Sequence, residues 1–195
     1  MIPVRPMPSS LLFRIAATVV FVALAVGWPS SGWTDTVLAR SAELRLEEDY
    51  YVLDAEFELA LNPTLEEAIG RGIPLYFIID FELQRPRWYW LDDTVTTSAI
   101  TYRLSYNALT RQYRLSTGGA FYQNFQTLDE ALRMIARVRG RKVVEKSALF
   151  SGYRYEAASR LRLDTAQLPK PFQISVLTSR DWTLQSEWIR WSFTP

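Results

Sequence analysis

Alternation of apolar and polar residues with a period of two is the sequence feature that most constrains the fold of this chain. In one such run the apolar positions are Leu53, Ala55, Phe57, Leu59 and Leu61, with Asp54, Glu56 and Glu58 between them. Successive side chains of a β-strand point to opposite faces, so the pattern predicts a half-buried antiparallel strand. A similar run precedes it over residues 42–47, and the acidic pair Glu48-Asp49 between the two runs predicts a hairpin turn.

Further runs with the same period continue along the chain. The apolar positions of the third run are Leu75, Phe77, Ile79, Phe81 and Leu83. Its other face includes Tyr76 and Ile78, so we expect this strand to be central in a sheet. A second hairpin is expected across residues 107–110, and later strands over residues 153–163 and 189–193. Seven or eight such strands predict a mainly β fold, an antiparallel β-sandwich of immunoglobulin-like general form, as a single domain over residues 35–195.

Two segments with helix-start signals interrupt the strands. Thr64–Ile69 and Thr127–Leu132 each place a Thr three residues before a Glu, which is the capping-box pattern. The first predicts a helix of about two turns that ends with Gly70 and Gly72 as C-cap residues. The second predicts a longer helix that ends at Gly140. The arginines near that end, which suit the negative pole of a helix, are Arg137, Arg139 and Arg141.

The N-terminal segment has the pattern of an export signal. Arg5 and Arg14 are its only charged residues, and the apolar run Ile15–Val26 follows them. Ala23-Leu24-Ala25 offers a cleavage site of the A-x-A type. We therefore interpret residues 1–34 as an apolar export helix, a signal peptide, and expect the protein to be periplasmic.

An uncleaved signal anchor is the alternative for the same segment. The stretch Leu11–Trp28 contains one Arg and falls just short of the roughly 20 apolar residues that span a bilayer. In that case the protein would be tethered to the inner membrane, and the membrane contact would be made by the N-terminal segment alone.

The composition narrows the chemistry available to the domain. The 195 residues contain no His and no Cys, which excludes imidazole acid–base catalysis, thiolate nucleophiles, His- or Cys-ligated metals, disulfides and a lipoprotein anchor. Without residues 1–34 the formal charge moves from +1 to −1, because that segment contains two basic residues and no acidic one. This near-balance argues against a nucleic-acid partner. We expect no cofactor and no metal.

The segment Arg85–Asp93 is the most unusual in the chain and contains the candidate binding residues Arg85, Arg87, Trp88, Tyr89 and Trp90. If the preceding strand kept its register, Arg85 and Arg87 would be buried at a desolvation cost and Trp88 and Trp90 would be exposed. Pro86 favours a bulge or edge that reverses this phase and brings both Trp side chains into the core. The functional alternative is an exposed aromatic platform, with the arginines beside it, that stacks on a sugar ring or anchors a partner.

The stretch Thr165–Pro171 contains two prolines on either side of Lys170. We interpret it as an extended connector, because proline disfavours helices and central strands. Lys170 is accordingly a further candidate binding residue.

The carboxylates give little support for catalysis. Asp92 and Asp93 are adjacent, so in an extended segment their side chains point to opposite faces and do not flank one bond. Asp80 and Glu82 share a face, and we interpret them as a solvated surface balanced by Arg103. No catalytic residue is expected.

Five stretches of the chain resemble a family of exported proteobacterial proteins, described as domain of unknown function 4390. They are Gly72–Phe77, Phe81–Trp90, Tyr102–Arg114, Leu163–Pro171 and Thr178–Trp182. The similarity covers nearly all of the chain after the export segment, in the same order and spacing. The resemblance implies an exported or membrane-tethered protein, often encoded beside a two-component sensor kinase, and assigns no catalytic residue.

These observations favour a non-enzymatic, exported accessory or binding module of a bacterial cell envelope, with a protein partner there. The resemblance adds a membrane sensor as a candidate partner. The alternative is a carboxylate-dependent glycan hydrolase or a glycan-binding protein that uses the Trp88–Asp93 region. A third interpretation is a structural envelope protein without a discrete site.

Overall fold

The structure, a computed structural model, describes residues 37–87, 93–118, 121–173 and 179–195. The expected export segment 1–34 and the candidate residues Trp88, Tyr89 and Trp90 lie outside the described residues. Within the described ranges, no helix has the length and apolar character needed to cross a membrane.

The described residues form nine strands and two complete α-helices, and residues 170–173 are also helical. The strands are β1 (Val37–Glu47), β2 (Tyr50–Leu59), β3 (Leu75–Arg85), β4 (Asp93–Asn107), β5 (Gln112–Ser116), β6 (Tyr122–Phe125), β7 (Arg137–Glu145), β8 (Tyr155–Leu163) and β9 (Ile189–Phe193). The helices are α1 (Pro63–Gly70), between β2 and β3, and α2 (Leu128–Ala136), between β6 and β7.

The strands form two antiparallel sheets with a shared core, as predicted. One sheet has three strands in the order β1-β2-β7, and the other has six in the order β6-β5-β4-β3-β8-β9. Apolar residues of both sheets belong to one buried cluster. The ring of Tyr51 on β2 meets that of Phe193 on β9 edge-on, with 4.9 Å between their centroids. The prediction of a mainly β sandwich with two short helices is confirmed.

Strand β3 is central in the larger sheet because it pairs with β4 on one side and with β8 on the other. Its odd-numbered residues from Leu75 to Leu83 are at most 1% exposed, and the residues between them are half-buried. The predicted phase of this strand is confirmed.

Both predicted hairpins are present. Strands β1 and β2 are joined at Glu48-Asp49, where Glu48 adopts φ of 53°. Across the β4–β5 hairpin Leu104 lies opposite Leu115 and Tyr106 lies opposite Tyr113.

Helix α1 begins two residues earlier than the capping box indicated. Asn62, not Thr64, is the N-cap residue, and its Oδ1 accepts the Leu65 amide at 3.0 Å. Pro63 occupies the first helical position, where its missing N–H costs nothing. At the other end Gly70 is still helical, and Gly72, with φ of 84°, provides the left-handed residue that ends the helix.

Helix α2 begins as predicted and ends earlier. Thr127 is the N-cap residue, and its Oγ1 accepts the Glu130 amide at 3.3 Å. The helix ends at Ala136, not at Gly140. Arg137 to Arg141 belong to strand β7, so the three arginines do not neutralise a helix terminus.

Candidate functional site

A cleft of about 690 Å³ opens beside β7, over the inner face of the larger sheet. This volume lies in the range of about 300–1,000 Å³ that is typical of ligand sites. Its apolar and aromatic lining comes from β4, β6, α2 and β7 and consists of Ile100, Tyr102, Phe125, Met134 and Val138. Its charged lining comes from α2 and β7 and consists of Glu130, Arg133, Arg137, Arg139 and Arg141.

A β-bulge places the arginines of β7 along this cleft. Between the pairs Leu53–Arg141 and Ala55–Val138, β7 contains one residue more than β2. Gly140 adopts φ of 59° there, a left-handed conformation that glycine adopts without steric cost. The buried carboxylate of Asp54 accepts the Gly140 amide at 2.7 Å. The bulge is thus fixed by one long-range hydrogen bond.

Two of the four arginines are paired with one carboxylate on β2. Arg137 Nη2 lies 3.0 Å from Glu56 Oε1, and Arg139 Nη2 lies 3.4 Å from Glu56 Oε2. Hydrogen bonding to Arg137 is the main cause that lowers the pKa of Glu56, and Arg139 contributes further. This carboxyl therefore remains ionised at neutral pH.

The other two arginines of the cleft have no carboxylate partner among the described residues. Arg133 and Arg141 are exposed and form no ion pair with any of the described residues. Glu130, the acidic residue in the lining, accepts the Gln126 amide at 3.3 Å in the cap of α2. The cleft therefore has an excess of positive charge, which favours an anionic ligand.

Tyr102 forms part of the cleft floor. Burial raises the pKa of its hydroxyl, while the nearby Arg141 guanidinium acts in the opposite direction. The side chain thus stays neutral at physiological pH. It offers the ligand an aromatic surface and a hydroxyl group.

A second depression, of about 210 Å³, extends the cleft towards the start of β6. It shares Tyr102, Thr117 and Met134 with the cleft. Phe121 in its lining is 92% exposed, and Met134 is 44% exposed. Together the two depressions form a groove with apolar residues along its floor and arginines along one side.

The comparison with known families decides the classification of the chain. Residues 34–192 match the family described as Domain of unknown function (DUF4390). The chain belongs to this family. No curated protein and no solved structure matches it. The predicted resemblance to this family is confirmed as far as the family match is concerned. The matched region of this DUF4390 chain includes every residue of the cleft.

The candidate residues Arg85 and Arg87 of the DUF4390 domain converge on one carboxylate. The Nη2 atom of each arginine lies 2.6 Å from Asp93 Oδ2. These two hydrogen bonds lower the pKa of Asp93, and the bond from Arg85 is the main cause. Strand β3 ends at Arg85, so Pro86 follows the strand without interrupting it. The half-buried Arg85 is therefore compensated by an ion pair.

Two exposed aromatic side chains lie beside this ion pair. The Arg85 guanidinium carbon is 5.9 Å from the centroid of the Phe150 ring, and that ring is 6.0 Å from the ring of Tyr153. Both rings are more than half exposed. We call Arg85, Arg87, Phe150 and Tyr153 the arginine–aromatic patch.

The segment that contains Lys170 follows β8 at the opposite end of β3 from Arg85. The Asp164 amide, just before the Lys170 segment, donates to the carbonyl oxygen of Tyr76 at the start of β3, whereas Arg85 ends that strand. Nine residues of β-strand separate the two points by about 30 Å. The prediction of an extended connector is wrong, because Thr165–Gln167 forms a 3₁₀ helix and the Phe172 amide donates to the carbonyl oxygen of Pro169.

Asp80 has different partners from the one expected. It accepts hydrogen bonds from Arg160 Nε at 3.0 Å and Arg162 Nε at 2.8 Å, not from Arg103. Both partners lie on β8, which pairs with β3 at Asp80. Among the described residues no group of three or more acidic side chains is placed to hold a metal ion.

The sequence patterns do not predict the cleft. They assign the three arginines at 137, 139 and 141 to the end of a helix. Arg137, Arg139 and Arg141 recur with a period of two, and this alternation indicates a strand with basic side chains. That signal was present but weaker than the helix pattern before it.

Proposed function

We propose that this DUF4390 chain is a non-enzymatic binding module of the cell envelope, and that its cleft binds an acidic, partly apolar segment of a protein partner. The observation that carries the proposal is the cleft lined by four arginines, of which Arg133 and Arg141 have no carboxylate partner in the described part of the chain. The envelope location rests on the export pattern of residues 1–34.

The composition of the cleft supports a protein ligand. Arginine, tyrosine and methionine are enriched at protein interfaces, and Tyr and Arg are common among the residues that dominate binding energy. Tyr102 and Met134 offer apolar contact area, and the unpaired guanidinium groups offer charge-assisted hydrogen bonds to carboxylates.

The chemistry of the carboxylates gives no support to glycan hydrolysis. A general acid requires a raised pKa, whereas the pKa of Asp93 is lowered by its two arginines. Glu130 in the cleft is engaged in the cap of α2. A binding role requires no general acid and is therefore consistent with the ion-paired Asp93 and the capping Glu130.

Binding of a defined peptide tests the proposal. The probe is an acetylated, amidated decapeptide in which Glu and Leu alternate, labelled for fluorescence anisotropy and titrated with the purified full chain. We expect saturable binding that weakens about tenfold in the variant Arg133→Gln/Arg141→Gln, because two charge-assisted contacts are lost. Arg103→Gln is the matched control, since Arg103 is exposed and adjacent to Tyr102 on β4, so its side chain points to the opposite face.

The same variants connect the peptide result to a partner in the cell. A photo-crosslinking residue at position 134 is expected to capture an envelope protein, and Arg133→Gln/Arg141→Gln is expected to abolish that product while Arg103→Gln preserves it. Peptide binding that is unchanged in the double variant would overturn the proposal.

A further inference from the structure

We infer that the partner segment binds as an added β-strand along the free edge of β7. The inference rests on the proposed function, because it specifies how the acidic segment occupies the same cleft. It would make the bound segment the fourth strand of the smaller sheet.

The unequal size of the two sheets is the first observation. A three-stranded sheet faces a six-stranded one, and β7 is the last strand of the smaller sheet. Among the described residues β7 pairs with β2 alone, so its other edge has no strand beside it. An unpaired edge presents a row of backbone N–H and C=O groups that can pair with another chain.

The position of the cleft is the second observation. Val138, Arg139 and Arg141 of β7 line it, and Ile100 and Tyr102 of β4 form its floor. The vacant space therefore lies directly beside the free edge and above the inner face of the larger sheet. This is where a fourth strand of the smaller sheet would cover the core.

The register of β7 shows what an added strand would meet. Val138 lies opposite the buried Ala55, so its side chain faces the core, and Arg137 lies opposite Glu56 on the outer face. Alternate side chains of an added strand would therefore contact the floor around Ile100 and Tyr102. The remaining side chains would lie on the outer face with Arg137 and Arg139. Arg141 lies opposite the buried Leu53, so it shares the face of Val138 and lines the cleft together with Arg133 of α2.

The arginines and the bulge of β7 would make this edge selective for an acidic strand. Charged side chains and bulges are the means by which proteins prevent non-specific pairing at an exposed edge. Strand β7 has both, in the arginines at 137, 139 and 141 and the bulge at Gly140. Positive charge repels most edges and attracts an acidic strand, so apolar residues alternating with Asp or Glu describe the expected segment.

Backbone methylation of the Glu–Leu decapeptide distinguishes strand addition from binding by side chains alone. In an added strand the N–H groups of alternate residues face β7, and the others face away. One version of the peptide is N-methylated at its Leu residues and another at its Glu residues. We expect one version to lose about tenfold or more in affinity for the full chain and the other to stay within about threefold of the parent.

The outcomes separate this inference from the proposed function. If the parent peptide binds and both methylated versions lose affinity to the same extent, or neither does, strand addition is contradicted and the proposed function stands. If the parent peptide does not bind at all, the proposed function fails and the inference fails with it.

Discussion

Asp54 on β2 and Gly140 on β7 are joined by a hydrogen bond of 2.7 Å from the glycine amide to the aspartate Oδ1, across 86 positions of sequence. The other oxygen of Asp54 accepts Arg45 Nη2 at 3.1 Å. The bond fixes the bulge beside the cleft arginines of β7. A buried residue that does not line the cleft thus determines the shape of the proposed binding edge.

Loss of this carboxylate should destabilise the domain. In Asp54→Ala the Gly140 amide loses its acceptor inside a partly buried strand pair, and we expect a decrease of about 1–3 kcal/mol in the free energy of unfolding. Urea denaturation measures it. Glu43→Ala is the control, because Glu43 lies opposite Asp54 on β1 and is exposed. Equal effects of the two substitutions would contradict a structural role for the Asp54–Gly140 bond.

The left-handed conformation of Gly140 predicts a second stability effect. In Gly140→Ala the added Cβ meets no atom within 4 Å, so the cost comes from φ of 59° alone. We expect about 1–2 kcal/mol of destabilisation. Gly70→Ala, at the end of α1 and without positive φ, should be neutral or stabilising because alanine favours helices. Thermal unfolding of both variants checks this difference, and the same loss in each would refute it.

A decrease in pH should weaken the ion pairs that Glu56 forms with Arg137 and Arg139. The pKa of Glu56 is lower in the folded state than in the unfolded state, where it is about 4.3. The ion pairs of Glu56 therefore contribute fully to stability above about pH 4.3, and this contribution is lost as the pH falls through the folded-state pKa. In Arg137→Gln/Arg139→Gln the Glu56 titration midpoint, followed by NMR, should rise towards that unfolded value. Arg103→Gln should leave it unchanged. A midpoint that does not move in the double variant would show that the two ion pairs do not form in solution.

The arginine–aromatic patch should act independently of the cleft. Phe150 and Tyr153 are largely exposed, so Phe150→Ser/Tyr153→Ser should change the free energy of unfolding by less than about 1 kcal/mol. The affinity for the Glu–Leu decapeptide, measured by anisotropy, should stay the same because no residue of the patch lines the cleft. A large loss of peptide affinity would place the binding site at the patch instead.

The sequence predicted most of the fold because strand phase is a local property. Leu75 to Leu83 alternate strictly, and the burial of every second residue follows from that alternation. The end of α2 could not be predicted in the same way, because Ala136 and Arg137 carry no helix-stop signal. Strand β7 forms there through pairing with β2, a partner about 80 residues away.

The cleft depends on still less local information. It exists because three strands face six and because Asp54 holds the bulge at Gly140, and neither fact is visible in a single segment. The sequence context of Arg85 and Arg87 marks them as candidates, but their common partner Asp93 follows from the β3–β4 register. The composition excludes catalysis by His and Cys. It does not predict which charged residues lie close together in the folded chain.

Reversal of the charge on the protein and on the peptide tests most directly whether the arginine-lined cleft is the binding site. The affinities of the natural chain and of Arg133→Glu/Arg141→Glu are measured by anisotropy for the Glu–Leu decapeptide and for its Lys–Leu counterpart. We predict that the natural chain prefers the acidic peptide and that the charge-reversed variant prefers the basic one. If both proteins bind both peptides with equal affinity, the arginine-lined cleft is not the binding site.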